Sequence, residues 1–203
     1  MILLMIKIQF HHLSFRIQFQ QQYEHFRSLL ELFQFDPSSC DSEFMNLVMF
    51  FAHVTHCYPN DESAVAYPSE LMRLLRLFST SLHPEVRMFL VRALILMRNK
   101  SQFAANDLIS LLFELLKCPD KKLRALVKQH VITDIKNMNS RKRMNTNYVL
   151  QNFLFSMLND SNVVAARTSL HIMIELYKKN VWKTTKTVNV IATACFSRIP
   201  KVC

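Results

Sequence analysis

The residues best suited to metal chemistry in this 203-residue chain are His53-Val-Thr-His56-Cys57. Spacings of three and four put both imidazoles and the thiol on one helix face. A structural zinc site takes four such ligands, however, and no second cluster with suitable spacing follows. The three residues are therefore expected to be core or helix-end side chains beside Tyr58-Pro59, with no metal and no cofactor. Acid–base chemistry has even less material. The basic half of the chain holds four carboxylates, Asp120, Asp134, Asp160 and Glu175, and each fits a cap, turn or ion-pair role. Asp134, in Val-Ile-Thr-Asp-Ile-Lys, sits in an apolar setting, where an Asp ordinarily has a partner and a structural role. The chain contains no glycine. Phosphate-cradling loops and the nucleophile elbow need a backbone that only glycine permits, so nucleotide-binding and hydrolase motifs are excluded and no enzyme is expected.

Binding chemistry is better represented. Residues 1–116 carry nine Lys+Arg against eleven Asp+Glu, whereas residues 117–203 carry sixteen against four. A one-sided basic surface suits nucleic acid, an anionic membrane or an acidic partner protein, and charge alone does not choose among them. Two groups supply it. Lys117, Lys121, Lys122, Arg124, Lys128 and Lys136 lie on or beside one predicted helix and lead into Arg141-Lys142-Arg143; Lys178, Lys179, Lys183 and Lys186 surround Trp182. Lys121, Arg124 and Lys128 are spaced to share a helix face.

The elements that must position these residues are helices. Leu108, Ile109, Leu111, Leu112, Leu115 and Leu116 recur with a helical period. The same test places helices near 20–34, 42–57, 68–81, 84–98, 106–117, 120–137, 147–158, 161–179 and 184–198. Pro68 and Pro84 then stand in first turns, where a missing N–H costs little. Asn99, Asn159 and Asn180 stand where left-handed caps are needed in a chain without glycine. Five cysteines without a C-x-x-C pair make neither a disulfide framework nor a zinc knuckle, and the expected compartment is a reducing one. The longest uncharged stretch, residues 44–60, is too short and too polar to span a membrane. The opening Met-Ile-Leu-Leu-Met-Ile is broken by Lys7 and has neither a basic n-region nor a small-residue cleavage site, which makes it a weak signal-peptide candidate.

An internal repeat ties the helices together. A Pro or Asp turn, then an aliphatic residue and Arg opening the second helix of a pair, occurs at Arg87, Arg124 and Arg167, which are 37 and 43 residues apart. This period predicts an all-α, HEAT/armadillo-like solenoid of stacked antiparallel helix pairs. Arg87, Arg124 and Arg167, with Asp120 and Asp160 in the turns, are expected to make polar contacts between repeats. The helix around Val86–Met97 is apolar almost all round, as an interior helix should be. Connections 138–146 and 178–186, forty residues apart, are expected on one edge as a basic ridge suited to phosphates.

Five segments resemble the amino-terminal region of the Severe Depolymerisation of Actin family: QYEHF at 22–26, AHVTHCYP at 52–59, RMFLVRALILMRNK at 87–100, HVITDIKN at 130–137 and TVNVIATACFS at 187–197. The resemblance covers about residues 20–199. It implies a nucleolar, non-enzymatic factor for assembly and nuclear export of the large ribosomal subunit, with pre-60S particle proteins and rRNA as partners and neither a small-molecule substrate nor a membrane. Rival readings are a helical-repeat transport adaptor for acidic protein partners and an actin-cytoskeleton regulator. Residues 1–19 depart from the family's start and form an atypical segment, expected to be non-native or disordered. Residues 20–199 form the helical-repeat domain, and residues 200–203 end as a tail where family members continue, so a partial chain is expected. The candidate contacts to RNA or an acidic partner are Lys121, Lys122, Arg124, Lys128, Arg141, Lys142, Arg143, Lys178, Lys179, Lys183 and Lys186.

Overall fold

The computed structural model describes the backbone over residues 2–140 and 144–194, and side chains over 15–140 and 148–194. Among these residues the chain is all-α and without strands. The helices are α1 (Ile2–Phe35), α2 (Ser42–Val54), α3 (Glu62–Phe78), α4 (Pro84–Asn99), α5 (Ala105–Glu114), α6 (Lys121–Ser140), α7 (Met144–Met157), α8 (Val163–Lys178) and α9 (Thr185–Ala194), with short 3₁₀ turns at Thr55–Cys57 and Leu115–Lys117. They form two compact units, Met1–Lys100 and Ser101–Cys203.

In the first unit α1 packs on α2 and α3 on α4, and α2 lies against α4. In the second, α5 packs on α6 and α7 on α8, while α5 also touches α7 and α6 touches α8; α9 closes onto α8. First helix on first helix and second on second is how helix-pair repeats bury their apolar faces. The fold class is therefore that of HEAT-type helix pairs, as the period near forty residues predicts.

The first core is built from rings. Phe26, Phe44, Phe51 and Tyr67 are wholly buried. Phe33 stacks on Phe44 at 4.5 Å, and Phe26 meets Tyr67 edge-on at 5.3 Å. Tyr67 also donates its hydroxyl hydrogen to the Val48 carbonyl at 2.9 Å, so a buried polar atom is satisfied while α3 is fixed against α2. The second core is aliphatic: Leu108, Ile109, Leu111, Leu112, Leu115 and Leu116 are all buried, as their spacing predicts. Helix α4 buries Val86, Leu90, Val91, Ala93, Leu94 and Met97 and leaves no broadly exposed apolar side.

Three local details differ from the sequence-based expectations. Helix α1 begins at Ile2 rather than near residue 20, and Phe19 is buried against Tyr58, with ring centroids 4.5 Å apart. Helix α3 begins at Glu62, so Pro68 lies inside it rather than in its first turn. The reason is the cap: Asp61 Oδ1 accepts the Ser63 amide at 3.1 Å, and Oδ2 accepts Gln20 Nε2 at 2.9 Å, anchoring the helix start to α1. The apolar stripe Ala64, Tyr67, Leu71, Leu75 then runs straight through the proline, and its burial outweighs one lost backbone hydrogen bond. Left-handed backbone occurs at Asn180, as expected, and at Ser101. Asn99 is instead the last residue of α4, and Asn159 closes a right-handed turn by donating to the Ser156 carbonyl at 3.1 Å.

Candidate nucleic-acid interface

The basic residues of the second unit divide into those held by the fold and those left facing solvent. Helix α6 starts where Asp120 Oδ1 accepts the amides of Lys122 at 2.9 Å and Leu123 at 3.1 Å. Asp120 is thus an N-cap, which leaves Lys121 and Lys122 in the exposed first turn. Leu123, Val127, Val131, Ile135 and Met138 bury the opposite stripe of α6. Arg124 is half-buried and donates through Nη1 to the Cys118 carbonyl at 3.1 Å, closing the turn before its own helix. Lys128 is half-exposed, and Lys117 and Lys136 are exposed.

The three repeat arginines do not share one role. Arg87 is buried and donates through Nη2 to the Leu82 carbonyl at 2.7 Å, the counterpart of Arg124 on Cys118. Both bonds lie within a single helix pair and satisfy a carbonyl stranded at the preceding turn. Arg167 is exposed on α8. Its turn is closed without it, because Asp160 Oδ1 accepts the Asn162 amide at 2.7 Å and Asn162 Oδ1 accepts the Val164 and Ala165 amides at 2.9 and 3.3 Å. Arg167 is thereby released to the surface.

There it joins a group that sequence reasoning did not assemble. His171 lies one helical turn beyond Arg167 on α8, and α8 packs on α6. The imidazole is pushed below its ordinary value, first by desolvation and then by the positive charges of Lys128 and Arg167, with Glu175 opposing. Lys128 from α6 and Arg167 from α8 therefore act on the same ring. Helical spacing predicts the pair Arg167 and His171; only the packing of α6 on α8 brings Lys128 to them.

The second basic group is largely occupied. Lys178 and Lys179 share the Glu175 carboxylate at 4.0 and 3.9 Å. Lys186 donates to Asn152 Oδ1 at 3.0 Å and lies 5.3 Å over the Phe155 ring, pinning α9 to α7. Beside it, Gln151 Nε2 donates to Thr187 Oγ1 at 2.7 Å in a buried contact. Lys183 is exposed, and Trp182 is buried rather than displayed. Arg141, Lys142 and Arg143 lie outside the described residues.

The remaining candidates have plain placements. His53, His56 and Cys57 are all exposed, and an ammonium sits among them: Lys100 Nζ donates to the His53 carbonyl at 2.7 Å and to His56 Nδ1 at 3.0 Å. Asp134 is buried and has a partner, as a buried carboxylate needs. No described helix is long and apolar enough to cross a membrane.

Comparison with known proteins decides the family. The family model described as SDA1, HEAT repeat, matches residues 50–203. The chain belongs to the SDA1 family. It is 49% identical over 191 residues to the protein SDA1 homolog of Drosophila melanogaster, covering 93% of this chain and 26% of that protein. It is 48% identical over 186 residues to the Nematostella vectensis SDA1 homolog and 45% identical over 190 residues to that of Xenopus tropicalis, covering 27% of each. The chain thus spans about a quarter of the length of these SDA1 relatives.

Proposed function

We propose that this chain is a non-catalytic scaffold for assembly and nuclear export of the large ribosomal subunit, working in the nucleolus and nucleus, and that its second unit contacts rRNA through α6 and α8. The observation that carries the reading is the set Lys121, Lys122, Lys128 and Arg167, four cations facing solvent on two helices that pack side by side. Membership of the SDA1 family supports it, as does the lopsided charge of the chain. Cations presented without bound carboxylates release counterions from a phosphate backbone, which makes binding strong at low salt and weakly dependent on sequence. A rigid helical scaffold is suited to that task, because it fixes cation spacing while leaving the cations exposed. No acid, base and nucleophile converge among the described residues in a way that supports a catalytic reading.

The test is a salt titration of binding to a structured fragment of large-subunit rRNA. Replacing Lys121, Lys122 and Lys128 together by Glu should weaken binding more than tenfold and reduce the slope of log K against log salt by about one for each phosphate no longer neutralised. A second variant with Arg141, Lys142 and Arg143 reversed should add to the effect. Unchanged affinity and slope in both variants would remove rRNA binding from the proposal.

A further inference from the structure

In the first unit, far from the basic helices in sequence, three potential metal ligands meet. Cys40 lies in the connection between α1 and α2, while His83 caps α4 and Glu85 stands in its first turn. One ligand atom from each lies within 4.8 Å of the other two. The Cys40 thiol donates to Glu85 Oε2 across 3.5 Å. The two segments are already joined at the backbone, where the His83 amide donates to the Pro37 carbonyl at 3.3 Å. We propose that Cys40, His83 and Glu85 form a zinc site that clips the α1–α2 connection to the start of α4.

The donor set selects the metal. A thiolate with an imidazole and a carboxylate suits borderline-soft zinc and is poor for magnesium or calcium, which take oxygen ligands. Zinc bonds of about 2.0–2.3 Å in a tetrahedron require donors roughly 3.5 Å apart. The cluster has to contract by about 1 Å, within reach of rotamer changes in the exposed Cys40 and Glu85 side chains. Three protein ligands leave the fourth position to water, so this is an open zinc site and not a closed four-ligand one, and what supports it is that its donors already converge in space.

Charge and protons balance. The Cys40 thiol carries a proton that it donates toward Glu85 Oε2. Zinc entry releases that proton to solvent and leaves thiolate, carboxylate and dication neutral together. The balance matters at the amino end of α4, where the helix dipole would oppose a net positive charge. His83 Nδ1 now accepts the Glu85 amide at 3.3 Å. Zinc on Nε2 moves the ring proton to Nδ1, and zinc on Nδ1 displaces the amide, so either mode gives up this long cap bond. Neighbouring sequence provides no hint of the site, since Cys40 and His83 are separated by the whole of α2 and α3.

Titrating the reduced 203-residue chain with zinc chloride should show one equivalent bound, with proton release and a rise in melting temperature. Cys40→Ser and His83→Asn should each weaken binding at least tenfold; asparagine retains an N-cap acceptor, so α4 is preserved. Cobalt(II) should give a thiolate charge-transfer band that Cys40→Ser abolishes, a readout independent of stability. Cys57→Ser should leave both signals intact. The absence of stoichiometric zinc, equal affinity in Cys40→Ser and His83→Asn to that of the parent, or loss of binding in Cys57→Ser would each overturn the site.

Discussion

The two units of this chain use one helix-pair plan with different materials. Residues 1–100 carry nine Lys+Arg against nine Asp+Glu and close on a cluster of rings; residues 101–203 carry sixteen against six and close mainly on leucine, isoleucine and valine, with Phe113 and Trp182 among them. In the first unit the polar groups knit the fold: Tyr23 donates to Glu70 at 2.8 Å, and Arg16 reaches Asp61 at 3.5 Å. In the second, polar contacts such as Gln151 to Thr187 and Lys186 to Asn152 tie α7 to α9, while Lys121, Lys122 and Arg167 stand on the surface outside them. Fold and binding are thus separable in the second unit to a degree that they are not in the first.

The largest expected effect that tests this comparison is on stability. Phe26→Ala in the ring cluster should cost about 3–5 kcal/mol in chemical denaturation, by loss of burial and creation of a cavity. Charge reversal at Lys121, Lys122 and Lys128 should lie within about 0.5 kcal/mol of the parent per site, because these side chains take no part in the core. If the triple reversal proved as destabilising as Phe26→Ala, the separation of fold from binding in the second unit would fail. Next in size is the difference in RNA affinity. Reversing Arg27, Arg73 and Arg92, exposed cations of the first unit, should change rRNA-fragment binding less than twofold, against more than tenfold for the α6 set. Equal weakening would mean that net charge, not the α6–α8 face, drives binding.

Smaller effects sharpen the same contrast. Lys186→Ala should cost about 0.5–1 kcal/mol through its contacts with Asn152 and Phe155 while hardly moving RNA affinity, which distinguishes a pinned lysine from a presented one. The smallest is proton linkage at His171. Its protonated form is disfavoured in the free protein by desolvation, Lys128 and Arg167. Above pH about 6.5 the ring is neutral folded and unfolded; as pH falls below that value the unfolded chain takes up the proton first, so a little stability is lost. A phosphate near Lys128 and Arg167 offsets their charge and favours the imidazolium, so RNA should bind a few-fold more tightly at pH 6 than at pH 8, and His171→Gln should flatten that dependence. A pH profile identical in parent and variant would separate His171 from the RNA-binding face.

Most of the architecture was legible in the sequence because it follows from local periodicity. The stripe from Leu108 to Leu116, the near-uniform apolarity of α4 and the turn before Arg124 each specify an element without reference to the rest of the chain. What escaped depends on residues distant in sequence. Pro68 reads as a first-turn residue until Gln20 is seen holding the Asp61 cap, and Arg167 reads as a copy of Arg87 and Arg124 until Asp160 and Asn162 close its turn. Among the candidate RNA contacts, type and spacing put Lys121, Lys122 and Lys128 on α6, where the first two are exposed and the third half-exposed. Spacing of three and four also places Lys178 and Lys179 beside Glu175, an ion pair open to sequence reading, whereas Lys186 meets Asn152 and Phe155 only through the packing of α9 on α7. The approach of Lys128 to His171 likewise requires α6 and α8 to be neighbours.

The most direct test of rRNA binding by α6 and α8 is to express the tagged chain and its Lys121, Lys122, Lys128→Glu variant in cells, cross-link with ultraviolet light, and sequence the RNA covalently attached to each. Discrete large-subunit rRNA sites are predicted on the parent, depleted at least tenfold in the variant at equal protein recovery. Equal cross-linking of the two, or RNA spread without preference for large-subunit rRNA, would contradict it.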